Sequence, residues 1–132
     1  MNLEQFFNRL NEEMSDDDKK ETYKKWKKLV NMSASSLKKY YESETGKKSG
    51  LTPKQAKAAG GISTGRQSAR WIVKMKETPV KEWTPEMWKW ANKQISFISR
   101  MKGNAGPNVD EYGNPTRKMM SLKIWGHDPL KG

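Results

Sequence analysis

One histidine, no cysteine and acids thinned out beyond the first eighteen residues leave this chain of 132 residues little with which to run acid–base, nucleophilic or metal chemistry. His127 beside Asp128 is the single candidate dyad. Neighbours in sequence do not by default face one another productively, no second histidine completes a metal site, and Gly-His-Asp-Pro reads as a helix stop. Asn108, Asp110, Tyr112 and Gly113 mimic the first half of a calcium loop, but its twelfth position is Met119, where a bidentate Glu is required. Gly46, Lys47, Lys48 and Ser49 miss the phosphate loop, which needs Gly-Lys-Ser/Thr together and an earlier glycine. Zero cysteines removes disulfides, thiolate metal sites, iron–sulfur clusters and cysteine nucleophiles. The expectation is a protein that is not an enzyme and that has no cofactor and no metal.

What the residues do offer is positive charge. Twenty-six Lys and Arg stand against 15 Asp and Glu, a formal net charge of +11. The acids cluster at the start: residues 1–18 hold six acids and one base, whereas Lys19 to Lys102 hold 21 bases and six acids. This acidic head and basic body suit a polyanion, an anionic surface or an acidic partner. Within the body, Arg66, Arg70 and Lys74 recur every four residues beside Gln67, and Lys89, Lys93 and Arg100 follow on a later segment. Arg and Gln are the side chains that read guanine and adenine edges, and Lys pairs with phosphate. These seven residues are the candidate nucleic-acid contacts. The alternative is a polar face that meets water only.

The elements that must position them read as helices. Asn2 caps a segment with Leu3, Phe6, Phe7 and Leu10 at helical spacing; Ser15 with Asp16, Asp17 and Asp18 starts a second helix running to about Leu29. Ser33 or Ser35 starts a third through Tyr40 and Tyr41, with Gly46 as its stop, and Thr52-Pro53 starts a short fourth that Gly60-Gly61 breaks. Ser63 or Thr64 opens the helix that carries Arg66, and Thr84-Pro85-Glu86 opens the strongest one, to Lys102 with Gly103 behind it. On that helix Met87, Trp88, Trp90, Ala91, Ile95, Phe97, Ile98 and Met101 fill half the wheel, and Trp88, Ala91, Ile95 and Ile98 are the predicted core. A Gly/Pro/Asn-rich loop, Asn104 to Pro115 with a turn at Tyr112-Gly113-Asn114-Pro115, precedes a last helix from Thr116 to Gly126. The fold class is all-α, a single domain of six or seven short helices: residues 1–32 form an acidic-to-basic helical segment and residues 33–132 a basic, Trp-rich body.

Gly61-Ile62-Ser63 after Ala56 writes the turn of a helix-turn-helix, though Arg66 or Gln67 falls where its second helix needs an apolar residue. Trp83 and Trp90, near Lys81, Lys89 and Lys93, offer base stacking as a second route, with core packing as the alternative. No apolar run approaches the roughly 18 residues of a membrane span. The N-terminus carries no secretory signal pattern. Trp88, the run Gln94 to Met101, Gly103, Gly106-Pro107, Pro115-Thr116-Arg117-Lys118 and Ile124 to Pro129 resemble small uncharacterised basic proteins encoded by tailed phages and other DNA viruses. The resemblance implies a viral setting, in the host cytoplasm or nucleoid or packaged in a virion, and no particular activity. The expected function is nucleic-acid binding, DNA more than RNA and mainly to the backbone. The second expectation is a protein-binding module, a virion component or regulator, that engages a partner through the acidic N-terminus or the Trp-rich helix.

Overall fold

The computed structural model describes residues 14–43, 64–104 and 106–131. Four hydroxyl side chains start four of its helices, each accepting a hydrogen bond from the backbone N–H three residues on: Ser15 from Asp18, Ser33 from Ser36, Thr84 from Met87 and Thr116 from Met119. They open α1 (Asp16–Leu29), α2 (Ala34–Glu42), α4 (Pro85–Gly103) and α5 (Arg117–Ile124), and α3 spans Thr64–Lys76. Pro79 leads into a single 3-10 turn, Val80–Glu82, which the sequence did not announce. Among the described residues there are five helices and no strand, only an isolated bridge between Val109 and Pro115. The protein is all-α. The helices expected from Asn2 and from Thr52-Pro53, the Gly46 stop and the Gly61-Ile62-Ser63 turn lie outside the described residues. α2 ends at Glu42, where the Ser43 hydroxyl donates to the Tyr40 carbonyl at 2.6 Å.

α4 lies at the centre, packed against α1, α3 and α5, while α3 also packs against α2 and α5. Ser68 meets Gln94 and Trp71 meets Trp90, so α3 and α4 run antiparallel. Trp88, Ala91 and Ile98 are buried as expected, but Ile95 is only half-buried and Gln94 is fully enclosed. The reason is a hydrogen-bond requirement. Trp26 reaches from α1 into the core and donates from Nε1 to Gln94 Oε1 at 2.6 Å, and Gln94 Nε2 donates to Ser68 Oγ at 3.0 Å. An amide at position 94 therefore satisfies a buried indole and a buried hydroxyl at once, joining three helices. Around Trp26, Tyr23, Trp83 and Trp88 pack edge to face with centroids 4.9–5.3 Å apart for the Tyr23–Trp83, Trp26–Trp83 and Trp83–Trp88 pairs.

The last described segment closes the structure. Gly126 takes φ +88° after α5, with Gly126 N–H donating to the Lys123 carbonyl and His127 N–H to the Leu122 carbonyl, a Schellman stop. A side chain there would meet Val30 Cγ1 at 2.8 Å and Ile72 Cδ1 at 2.9 Å. The backbone beyond it lies against the end of α1. His127, buried, donates from Nδ1 to the Leu29 carbonyl at 2.6 Å; Asn31 exchanges two hydrogen bonds with the Asp128 backbone; Lys131 Nζ donates to the Asn31 carbonyl. The turn in the preceding loop falls at Asp110–Gly113 rather than Tyr112–Pro115. The Asp110 carboxylate accepts from the N–H groups of Tyr112 and Asn114, both at 2.9 Å, which moves the turn forward.

Candidate nucleic-acid interface

α3 and α4 together carry eight bases, Arg66, Arg70, Lys74, Lys76, Lys89, Lys93, Arg100 and Lys102, against one acid, Glu86. Their antiparallel packing places two matching features side by side. On α3 Lys74 Nζ lies 5.3 Å from the ring centroid of Trp71, and on α4 Lys93 Nζ lies 4.7 Å from that of Trp90. The two indoles stack on each other with centroids 6.2 Å apart and planes 22° from parallel. Lys74 and Lys93, both exposed, thus flank one aromatic ridge that spans the helix–helix seam. Trp90 is buried in the seam, while Trp71 is half-buried at its edge.

The other predicted contacts divide. Gln67 is exposed one turn before Trp71 on the same side of α3, and on α4 Lys89 is half-buried and Arg100 exposed, its Nε 3.4 Å from the Ser96 carbonyl. Arg66 and Arg70 turn away from this ridge toward α2. The Arg66 guanidinium lies 3.7 Å from the Tyr41 ring centroid and donates to the Tyr41 carbonyl at 3.1 Å, and Arg70 Nε donates to the Tyr41 hydroxyl at 2.8 Å. One tyrosine holds both arginines, so they tie α3 to α2. The structure brings Gln67, Lys74 and Lys93 to one ridge and sets Arg66 and Arg70 apart from it.

Trp71 and Tyr41 are the residues sequence reasoning missed. A signal for the first was present: Trp71 with Lys74 and Trp90 with Lys93 repeat the same three-residue spacing, which puts cation and ring on one helix face. Tyr41 carries no such local mark, because its partners lie 25 and 29 residues away.

The residues of the two candidates set aside in the sequence have local partners. His127 has its Nδ1 committed to a backbone carbonyl, and the Asp110 carboxylate is committed to its own turn. Among the described residues no three His, Cys, Asp or Glu side chains gather as metal ligands, and no helix is long and apolar enough to cross a membrane. Lys76 stands in a setting that disfavours its charge. Burial and the neighbouring Lys27 and Lys131 lower its pKa from the usual lysine range, while its Nζ donates to the Val30 carbonyl at 2.8 Å and lies 5.0 Å from the Trp26 ring centroid.

No curated protein and no solved structure matches the chain. A family model does, described as a protein of unknown function (DUF3140), and its match runs over residues 25–123, from just before Trp26 to the last turn of α5. That span takes in α2, α3, α4 and the ridge between the last two, and it covers about three quarters of the 132 residues, so the chain belongs to the DUF3140 family.

Proposed function

We propose that this protein binds nucleic acid, DNA in preference to RNA, mainly through the phosphate backbone, with the outward face of α3 and α4. The observation that carries the reading is the ridge at the seam, with Lys74 and Lys93 beside the stacked Trp71 and Trp90 on a helix pair of eight bases and one acid. Phosphates attract such a surface by counterion release, and an indole edge between two ammonium groups accepts a sugar or a base. Gln67 and Arg100 extend the same surface, and Arg70 and Lys89 add charge beside it. On this reading α3 takes the place of the second helix of a helix-turn-helix-like contact, and the protein is a binder rather than a catalyst. The viral setting implied by the resemblance would make the ligand a phage or viral genome or its host's.

The test is a titration of labelled duplex and single-stranded DNA and RNA of mixed sequence at several salt concentrations. With about six phosphates neutralised, log K falls against log salt with a slope near −5. Lys74→Glu with Lys93→Glu weakens binding at low salt by more than about tenfold and reduces the magnitude of the slope by roughly 2, more than Lys24→Glu with Lys25→Glu on α1. A flat salt response overturns the reading, and equal losses from both pairs reduce it to diffuse electrostatics.

A second reading, a protein-binding module, is favoured by one observation. Val109 and Leu130, two of the exposed large hydrophobics among the described residues, line a groove of about 310 Å³ together with Tyr40, Pro115 and Met119. It predicts a complex that survives high salt and is lost in Leu130→Asp.

A further inference from the structure

A second stacked pair of rings continues the ridge. Two turns after Trp90, about 10.5 Å along the axis of α4, Phe97 stacks on Trp125 with centroids 4.2 Å apart and planes 15° from parallel. α3 borders both pairs. Trp71 belongs to the first, and at the start of the helix Gly65 comes so close to the second that a Cβ there would meet Trp125 Nε1 at 3.2 Å. Between the pairs, the buried hydrogen bond from Gln94 to Ser68 closes the floor of the seam. In each pair one ring is buried, Trp90 or Trp125, and backs a half-buried one, Trp71 or Phe97. The outer rings are thus held in place before any ligand arrives, which lowers the entropy cost of stacking on them.

Cations alternate with these rings. Positions 90, 93, 97 and 100 follow the helical spacing of three and four, so Trp90, Lys93, Phe97 and Arg100 share one edge of α4. Lys93 stands between the two pairs, the exposed Arg100 one turn beyond the second, and Lys74 beside the first, its Nζ 5.3 Å from the Trp71 centroid. Glu86, exposed one turn before Trp90, bounds that edge of the helix. The order along the seam is cation, ring, cation, ring, cation. A single strand repeats the complementary order, phosphate and base in turn, and offers the flat faces of its bases. In a duplex each face is covered by its neighbour about 3.4 Å away.

We propose that this seam takes single-stranded DNA, with one base stacked on Trp71, another on Phe97, and the phosphates around them paired with Lys74, Lys93 and Arg100. The inference rests on the nucleic-acid binding proposed for α3 and α4 and names the form of the ligand. Duplex meets the same cations through its backbone but leaves both rings without a partner, so it binds more weakly.

Three labelled probes of equal length test this against the unaltered protein by fluorescence anisotropy: oligothymidylate, its duplex with oligodeoxyadenylate, and an abasic strand. Oligothymidylate binds most tightly. The abasic strand is weaker by at least about tenfold, because two stacked bases are lost, yet shows the same salt slope, because its phosphates are unchanged. Trp71→Leu and Phe97→Leu each weaken oligothymidylate by at least about fivefold and leave the abasic strand and the duplex as they were, while Trp71→Phe keeps most of the affinity. Circular dichroism identifies the variants that fold, and the abasic comparison needs none of them. An abasic strand or a duplex bound as tightly as oligothymidylate, or folded leucine variants that lose nothing, overturns the inference and leaves nucleic-acid binding in place as a backbone contact. Absence of binding to all three probes overturns both.

Discussion

Replacing Gln94 with methionine nearly conserves volume and removes both of the amide's hydrogen bonds at the point where α1, α3 and α4 meet. The Trp26 indole N–H then points into a fully buried site with no acceptor, and the Ser68 hydroxyl loses the donor at 3.0 Å. An orphaned buried polar group costs about 1–3 kcal/mol. Ser68 falls at the low end of that range, because a helical serine can turn its hydroxyl to a carbonyl of the preceding turn. Methionine returns about 1 kcal/mol through its extra apolar surface, leaving a net loss of roughly 1–3 kcal/mol. For a urea dependence of about 1.5–2 kcal/mol per molar, a loss of about 2 kcal/mol moves the unfolding midpoint down by roughly 1–1.3 M. Far-ultraviolet circular dichroism in urea reads this directly. A double-mutant cycle sharpens the test: in a Ser68→Ala background the further cost of Gln94→Met falls by about 1 kcal/mol, since one of the two orphans no longer arises. A Gln94→Met midpoint equal to the parent's, or costs that simply add, would refute the account of this network.

Other perturbations follow from the same geometry. Gly126→Ala combines a left-handed backbone with contacts at 2.8 and 2.9 Å, and a loss of ~3 kcal/mol lowers the thermal midpoint by about 11 °C for 132 residues, whereas Gly103→Ala, which meets nothing within 4 Å, leaves it unchanged or raises it. Asn31→Ala removes both bonds to the Asp128 backbone, costs about 1–2 kcal/mol and speeds hydrogen exchange at the Asp128 amide. Lys76 holds its proton less tightly folded than unfolded, because burial and the charges of Lys27 and Lys131 disfavour its ammonium form. Between the lowered folded value and the usual lysine value near 10.4 the unfolded chain binds more protons, so stability rises with pH through that window and is indifferent to Lys76 below it. Urea midpoints across the alkaline range show this rise in the parent and a flatter profile in Lys76→Met.

The helix starts were legible because they are local. Ser15, Ser33, Thr84 and Thr116 each cap the helix they precede in sequence, and Gly126 ends α5 where a glycine was needed. Position 94 was not legible. It falls beside the core arc of the α4 wheel, but its amide is buried only because an indole from α1 arrives there, and that partner lies 68 residues away. The same holds for the basic residues. Arg66, Arg70 and Lys74 share a spacing in the sequence, yet Tyr41 of α2 draws the first two aside and Trp71 retains the third beside Lys93. Which cation faces which neighbour is decided by packing between helices, and spacing along one helix does not carry that information.

The tie between the end of α1 and the segment after α5 also sets an order in time. The Leu29 and Asn31 carbonyls receive their donors from His127 and Lys131, 98 and 100 residues later. At roughly 5–20 residues per second a ribosome needs on the order of 5–20 s to make that stretch. Until then α1 has formed its turns without the partners that finish its end, and Trp26 has no complete core to enter. The end of α1 is therefore completed only once residues 127–131 have been made. Synonymous codons that slow or hasten the stretch before Gly126 should accordingly change how much of the protein reaches its folded state.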